Sequence, residues 1–117
     1  MIQFSGALLE MLAMGILFDR ICANFESWDV VEFQNIHHED YMVVKETGLL
    51  DKDEHTKVIS ELAPKDDWNW HKIAKCTFEN QYVLVCTWEE DGEIVNNVST
   101  IKNSQLWRTI ISRVPKL

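Results

Sequence analysis

Residues 82–114 decide the fold, and they read YVLVCTWEEDGEIVNNVSTIKNSQLWRTIISRV. β-Branched and aromatic residues dominate this stretch, and such residues favour pleated strands. Two polar pairs, Asp91-Gly92 and Asn103-Ser104, interrupt it. Asp-Gly is typical of a two-residue hairpin because a type I′ turn requires a positive φ at both central residues. The pattern predicts three antiparallel strands, over residues 82–89, 93–101 and 106–114.

Two more strands are predicted upstream of this region. Residues 68–78 share the aromatic and β-branched composition of the later strands, and Glu79-Asn80 would turn the chain into the next one. Residues 41–44 form a shorter run of the same kind, which ends before Gly48. The last half of the chain is therefore expected to form an antiparallel meander.

Three helices are predicted before and between these strands. Good helix formers dominate residues 6–24. A second helix is expected to begin with Ser27 as its N-cap and Asp29 in its first turn. A third helix follows, with Asp51 or Asp53 as its cap. Helices followed by a run of antiparallel strands predict an α+β domain, with the helices on one face of the sheet.

Composition and charge indicate a single folded domain and disfavour two classes of binding partner. A chain of 117 residues suits a single domain over residues 1–117, and its 46% of apolar residues is enough to build a core. Nineteen acidic against eleven basic residues leave a formal net charge of −8. Nucleic acid and anionic membrane surfaces attract basic proteins, so neither is an expected partner.

Neither a membrane span nor a signal peptide is predicted. The apolar run 7–18 is shorter than the ~20 residues of a transmembrane helix. No basic residue precedes this run, although a signal peptide needs a basic segment there.

Three cysteines bear on location and on metal binding. Cys22, Cys76 and Cys86 are odd in number and have neither CxxC nor Cys/His ligand spacing. We therefore expect buried thiols in a reducing cytoplasm and no metal site. The sequence contains no Gly-rich phosphate loop and no HExxH motif, so no cofactor is expected either.

The alternation along the strands indicates what each face of the sheet holds. Two-residue turns in all three hairpins predict the cross-strand pairs 77–82, 88–95 and 101–106. On this register neither face is clearly polar, so both faces need a cover. Helices can cover one face. We expect a second copy of the chain to cover the other, which predicts a homodimer through the sheet.

Two regions of the chain resemble a known superfamily. Glu39-Asp40-Tyr41 places an acidic pair and an aromatic before a strand, Gly48 follows, and residues 51–54 (DKDE) begin a short helix. The ending 103–114, NSQLWRTIISRV, resembles a closing strand with a turn, Trp-Arg, an apolar run and Arg. In order and spacing, these features resemble nuclear transport factor 2-like proteins, which include ketosteroid isomerase-like and SnoaL-like domains.

The resemblance implies a cone-shaped curved antiparallel β-sheet with the N-terminal helices packed on its concave face, a cystatin-like α+β barrel. Such domains are commonly dimeric and enclose an apolar pocket. The resemblance does not fix the function, because the superfamily spans isomerases, hydrolases, dehydratases, cyclases and non-catalytic binding modules.

The resemblance also suggests where a catalytic base would lie. In ketosteroid isomerase-like members an Asp on the first strand removes a carbon-bound proton. Matching Glu39-Asp40 onto that pattern puts Lys45 at the base position and Glu46 beside it on the opposite strand face. A lysine serves as a base only where its surroundings hold it neutral. Glu46 would take the role only if the strand carried a bulge.

His71 is the third catalytic candidate, because it falls on a predicted strand where it would line the pocket or be a semi-buried structural histidine. His37-His38 is expected at a helix C-terminus, which favours protonated histidine. His55 is expected to be exposed in the first turn of the short helix.

Aromatic side chains with a few polar groups are typical of a pocket wall. The five tryptophans would alternatively belong to the core or to a dimer interface. An inward Arg108 requires an anionic or hydrogen-bonding partner, either a ligand carboxylate or a helix residue such as Glu32, Glu39 or Asp40. The predicted pocket residues are Trp28, Tyr41, Tyr82, Trp88, Asn97, Ser99 and Arg108.

Three functions are open at this point. The first is binding of a small apolar molecule, with cofactor-independent acid–base catalysis (isomerisation, dehydration, hydrolysis or cyclisation) if the domain is an enzyme. The second is an acidic interaction module, such as an immunity or inhibitor protein, and the third is an oligomerisation domain without a ligand. An enclosed pocket of roughly 300 Å³ or more would favour the first. A cone filled by side chains would favour the others.

Overall fold

Four helices and six strands make up residues 15–117, the part of the chain that the computed structural model describes. The helices are α1 (Ile16–Glu26), α2 (Val30–Ile36), α3 (Lys52–Leu62) and α4 (Trp70–Ile73). The strands are β1 (His37–Lys45), β2 (Gly48–Asp51), β3 (Lys75–Glu79), β4 (Val83–Glu90), β5 (Glu93–Lys102) and β6 (Gln105–Pro115). The start of the predicted first helix, residues 6–14, lies outside the described residues. No helix within residues 15–117 is long and apolar enough to cross a lipid bilayer.

One curved six-stranded sheet, in the order β2-β1-β6-β5-β4-β3, carries the helices, which confirms the predicted α+β fold class. All neighbouring strands are antiparallel except β1 and β6, which are parallel. The core lies between the helices and the concave face of the sheet. Its buried apolar residues are Leu17, Ile36, Tyr41, Val43, Leu84 and Leu106.

The two later hairpins have the predicted turns. Asp91 and Gly92 have φ values of 53° and 75°, and Asn103 and Ser104 have φ values of 54° and 63°. The positive φ at all four positions is that of type I′ turns. The predicted cross-strand pairs Trp88–Val95 and Ile101–Leu106 are both present.

The predicted turn at Glu79-Asn80 is wrong. Glu79 pairs with Leu84, so the loop is longer than two residues. The side chain of Asn80 explains its length, because its Oδ1 accepts hydrogen bonds from the N–H groups of Tyr82 and Val83, both at 2.8 Å. An asparagine that closes its own turn in this way replaces a tight hairpin.

Residues 68–78 do not form one strand. Helix α4 occupies the first part, and β3 begins only at Lys75. The aromatic side chains that suggested a strand, Trp68 and Trp70, contact Phe25 of α1 instead. Tertiary packing of large aromatics therefore overrides their strand preference here.

The helix caps are partly as predicted. Asp51, one of the two residues predicted as the N-cap of α3, does cap this helix and forms a capping box with Glu54. Asp29 caps α2, because its Oδ1 accepts a hydrogen bond from the N–H of Val31 at 2.9 Å. Ser27 is therefore not the N-cap, although the helix does end at Ile36 as expected.

A bulge between Thr100 and Ile101 reverses the faces of β6. Ile101 pairs with Leu106, but Thr100 pairs with Arg108, which inserts one residue into β6. Beyond the bulge, the odd-numbered residues of β6 point to the concave face: Thr109, Ile111 and Arg113. Arg108 consequently lies on the outer face, in contrast to the prediction.

Candidate functional site

A cavity of about 370 Å³ lies between the helices and the concave face of the sheet. Helices α1, α2, α3 and α4 provide one wall, and strands β1, β4, β5 and β6 provide the other. Aromatic side chains form much of its surface, including Phe25, Phe33, Trp68, Trp70 and Trp88. The volume falls within the range of small-molecule sites.

The aromatic side chains form one connected wall around Phe25. The ring of Phe25 lies 5.5 Å from Trp68 and 5.1 Å from Trp70, both edge-on. Trp70 lies 5.0 Å from Trp88 across the cavity's aromatic side. Edge-to-face contacts of this kind hold the rings in fixed orientations. The wall is therefore a rigid apolar surface for a ligand.

A row of uncharged polar groups lies on the sheet side of the cavity. The hydroxyl oxygens of Ser99 and Thr109 are 2.7 Å apart, and Ser99 Oγ donates to Asn97 Oδ1 at 3.3 Å. Tyr41, which is 3% exposed, lines the same region. Burial raises the pKa of Tyr41 well above its usual range, so its phenol stays neutral.

Two histidines line the helix side of the cavity, and both are buried. His37 is 4% exposed and His55 is 7% exposed, with ring centroids 5.7 Å apart. Burial, with a smaller contribution from Lys52, lowers the pKa of His37 to about 4 against the opposing effect of the hydrogen bond to Phe33. Burial lowers the pKa of His55 to about 3, with smaller contributions from His37 and Lys45. Both imidazoles are therefore neutral at pH 7.

The charged residues of the lining are gathered at one end. Lys45 and Glu46 lie where β1 turns into β2, and Glu90 and Arg113 lie near the ends of β4 and β6. The parallel pairing of β1 and β6 brings these segments to the same end of the sheet. Arg113 forms salt bridges with Glu90 at 3.2 Å and Glu93 at 3.7 Å. This end is the solvent-facing mouth, since charged groups require water or paired charges.

Solved structures share this architecture. An NTF-2 like protein of unknown function from Burkholderia xenovorans LB400 superposes with a TM-score of 0.58 at 6% identity, covering 86% of this chain and 82% of that one. AclR, a candidate hydroxylase from Streptomyces galilaeus, gives 0.57 at 8% identity, with coverages of 86% and 78%. A protein of unknown function with a cystatin-like fold from Nostoc punctiforme gives 0.52 at 12% identity, with coverages of 99% and 98%.

The chain has the nuclear transport factor 2-like fold. At these identities the likeness shows the fold alone. No family model and no curated protein matches the sequence.

The nuclear transport factor 2-like cavity contains several of the predicted site residues. Tyr41, Trp88, Asn97 and Ser99 all line it. The catalytic candidates Lys45 and Glu46 also line it, at the mouth. Glu46 reaches the lining from the turn after β1 rather than from a strand bulge. Their catalytic role stays a prediction.

Other predicted site residues lie away from the cavity. His71 belongs to α4, and its Nε2 lies 2.7 Å from Oε1 of Glu26. Tyr82 is 62% exposed in the loop before β4, as a result of the longer turn at Asn80. Trp28 stacks on Phe25 at 5.5 Å but does not itself line the cavity.

Arg108 lies outside the cavity because of the bulge in the β5–β6 hairpin. Its Nη1 donates to the backbone carbonyls of Asp40 and Trp107, and its guanidinium lies 4.3 Å from the Trp107 ring centroid. The predicted pairing of an inward Arg108 with a carboxylate is therefore wrong, because its contact with Asp40 is to the main-chain carbonyl on the outer face. Arg113 takes the inward position that the sequence assigned to Arg108.

The sequence interpretation missed the two buried histidines. His55 was expected to be exposed, and His37 was expected to be protonated at a helix end. His37 does follow α2 directly, but burial outweighs the helix dipole. The spacing of His55, Ile59 and Leu62 on one face of α3 was the available signal, because all three line the cavity.

Within the described residues, no group of three His, Cys, Asp or Glu side chains is arranged to hold a metal ion.

Proposed function

We propose that this chain binds a small, uncharged, largely apolar molecule inside its nuclear transport factor 2-like cavity. The observation that carries the proposal is the cavity of about 370 Å³, walled by aromatic rings and open at one charged end. Neutral groups line its interior, while the charged lining residues lie at the mouth. A buried charge on a ligand would lose its hydration without gaining a partner in the interior.

The open cavity also weighs against the two alternative functions. A cone filled by side chains was expected for an interaction module or an oligomerisation domain. The cavity instead has the size and the mixture of aromatic walls with few polar groups that typify ligand sites. The acidic surface of a −8 protein remains available for a basic partner, but it does not account for the cavity.

Acid–base catalysis at the cavity mouth is the second candidate function. Lys45 and Glu46 are adjacent residues of the lining, and an amine beside a carboxylate supplies both a donor and an acceptor. The likeness to AclR carries no reaction to this chain at 8% identity. An enzyme of this kind would lose turnover in Glu46→Gln while retaining ligand binding, because Glu46 lies outside the apolar interior.

The test of ligand binding uses adjacent asparagines on opposite faces of β5. Asn97 lines the cavity, and Asn96 points to the outer face. In a thermal-shift screen of neutral aromatic alcohols, ketones and lactones, we expect at least one hit with the wild type. A ligand that binds only the folded state raises its stability by about 2.7 kcal/mol at a hundredfold excess over Kd.

The variants then locate the site. We expect Asn97→Phe to abolish the shift by filling the cavity and Asn96→Phe to retain it. Equal shifts in both variants, or no shift across the whole panel with the wild type, would contradict the proposal.

We further propose that a second copy of the chain covers the outer face of the sheet. Residues in register across all six strands form an apolar row there: Leu49, Val44, Ile110, Val98, Val85 and Phe78. On five of the six strands, the side chain that belongs to this row is 39–57% exposed. The row spans roughly 24 Å at the usual spacing between strands. A net charge of −8 on each copy opposes association, and an uncharged row lets two copies meet without burying like charges against each other.

We propose the cytoplasm as the location. Cys22, Cys76 and Cys86 are all free thiols, which supports a reducing compartment. Burial raises the pKa of Cys22 to about 11 and that of Cys86 to about 12, so both thiols stay protonated.

A further inference from the structure

The inner end of the cavity, away from the charged mouth, holds two neutral histidines with free hydrogen-bonding capacity. His37 follows α2, and His55 lies in the first half of α3, facing it. Nδ1 of His55 is buried and has no hydrogen-bond partner within residues 15–117. Buried polar atoms are normally paired, so an unpaired ring nitrogen on a residue that lines the cavity indicates a missing partner.

The tautomer of His37 follows from its contact with the main chain. Its Nδ1 lies 2.6 Å from the carbonyl oxygen of Phe33, and a carbonyl can only accept. Nδ1 therefore carries the proton of the neutral ring, and Nε2 keeps a free lone pair. The protein thus fixes a hydrogen-bond acceptor at the inner end of the cavity.

The surroundings of His37 keep this acceptor unprotonated. From α3, Lys52 donates its Nζ to the His37 carbonyl at 3.0 Å, and His55 faces the ring. From β1, Tyr41 packs edge-on at 4.5 Å, and Lys45 lies further along the strand. Burial and the positive charge of Lys52 disfavour the imidazolium form, no carboxylate is among these residues, and only the Phe33 carbonyl acts in the opposite direction.

A hydroxyl group matches these two imidazoles better than the other common polar groups. It donates one hydrogen bond, which Nε2 of His37 accepts, and its oxygen accepts another, which a neutral His55 donates. An ether or ketone oxygen has no proton to donate, so its lone pair would lie against the lone pair on Nε2 of His37. A carboxylate would do the same and would also bury a charge.

We propose that the inner end of the cavity recognises a hydroxyl group of an otherwise apolar, uncharged ring compound, with Nε2 of His37 accepting its hydrogen bond. This inference rests on the proposed ligand binding, and it specifies the chemical class of the ligand. The aromatic wall around Phe25 binds the ring system, and the two histidines orient the hydroxyl.

The test compares three bicyclic probes: 2-naphthol, its methyl ether 2-methoxynaphthalene, and 2-naphthoate. Calorimetry with the wild type is expected to show 2-naphthol binding about tenfold more tightly than the ether, the ratio that one buried hydrogen bond provides. 2-Naphthoate is expected to bind more weakly than either. Binding of the ether tests whether the cavity binds apolar molecules, and the preference for the alcohol tests the hydroxyl recognition. The two proposals can therefore fail separately.

Two substitutions at His37 supply a matched pair. In His37→Asn the side-chain amide replaces Nδ1 and still donates to Phe33, but nothing replaces Nε2. In His37→Gln the amide reaches the Nε2 position instead. We expect His37→Asn to lose the tenfold preference for the alcohol over the ether, and His37→Gln to retain part of that preference.

Side-chain ¹⁵N NMR of the wild type tests the inference without any substitution. We expect His37 to show a protonated Nδ1 and an unprotonated Nε2, and 2-naphthol but not the ether to shift the Nε2 resonance. Equal affinities for the alcohol and the ether, a preference that survives in His37→Asn, or a protonated Nε2 would overturn the hydroxyl assignment. Failure of every probe to bind would overturn the proposed function together with it.

Discussion

The carboxylate of Glu79 holds the beginning of the first described helix. It is 6% exposed at the end of β3, and it accepts hydrogen bonds from the N–H groups of Leu17 and Phe18 at 3.1 and 3.0 Å. These N–H groups have no partner within the helix, because the first turn of an α-helix leaves its donors free. A side chain 62 residues away thus takes the place of a local N-cap.

Loss of this carboxylate should destabilise the fold. We expect Glu79→Ala to lower the free energy of unfolding by about 1–3 kcal/mol, since it leaves two N–H groups unpaired. Glu79→Gln retains one acceptor oxygen and should lose less. Urea denaturation measures both, with Glu61→Ala on the exposed side of α3 as the control. Similar losses in Glu79→Ala and Glu61→Ala would show that the contact contributes little.

The buried histidines should make the protein sensitive to mild acid. Their pKa values are about 4 and 3 in the folded state, below the ordinary value near 6.5. The unfolded chain therefore binds protons first as the pH falls. This contribution to stability is complete above pH 6.5 and is lost as the pH falls to about 4 for His37 and about 3 for His55, by about 1.4 kcal/mol per pH unit for each histidine within its window.

Urea unfolding of the wild type and His37→Asn at several pH values measures this loss. We expect the variant to show a shallower decline between pH 6.5 and 5, because it has one fewer titrating group. Parallel pH profiles would contradict the assignment of His37 as one of the responsible groups.

At the scale of elements, the hairpin between β5 and β6 contains a correctable strain. Asn103 and Ser104 both have positive φ values, which cost an L-residue energy that glycine avoids. We expect Ser104→Gly to raise the free energy of unfolding by about 0.5 kcal/mol, partly offset by the freedom of glycine in the unfolded chain. Differential scanning calorimetry would show a higher Tm.

Ser112→Gly provides the matched control for that hairpin. Ser112 lies in the extended part of β6, where glycine weakens a strand by roughly 0.5–1 kcal/mol. A lower Tm for both variants would show that the turn at Ser104 is not strained.

The bulge opposite Thr100 and Ile101 changes which residues of β6 face the cavity, although the turn before it was predicted correctly. The turn and the first pair of the hairpin were predicted, and strand alternation then assigned Arg108 to the cavity. One inserted residue moved Arg113 inside and Ile110 outside. No residue type marks the bulge, since Trp107, the residue inserted into β6, is an ordinary strand residue.

At the scale of the whole molecule, the outer face predicts the oligomeric state. Ile110 is 57% exposed near the centre of the apolar row and belongs to an isologous interface in the proposed dimer. We expect the wild type to elute with a mass of about two chains in light-scattering chromatography. Ile110→Glu should elute as one chain, because it buries a charge against its own copy.

Val31→Glu is the control, since Val31 is 58% exposed on helix α2, away from the sheet's outer face. It should leave the mass at two chains. A wild type that stays a monomer at high concentration would contradict the proposed dimer through the apolar row.

The sequence by itself determined most of the element types, the two later two-residue hairpins, the capping of α3 and the α+β class. These depend on local chemistry: β-branched strands, positive-φ turns and an Asp that bonds its own helix. It also grouped Trp88, Asn97 and Ser99 on one strand face, and all three line the cavity together with Tyr41. Strand alternation is a local property, and it holds as long as the register is unbroken.

Only the tertiary structure decided the parallel pairing of β1 with β6, the break in residues 68–78 and the burial of His37 and His55. Each depends on contacts between residues far apart in the sequence, such as Phe25 with Trp70, or α3 with β1. The neutrality of the two histidines follows from that burial, because desolvation arises from everything packed around a side chain and from nothing in its own segment.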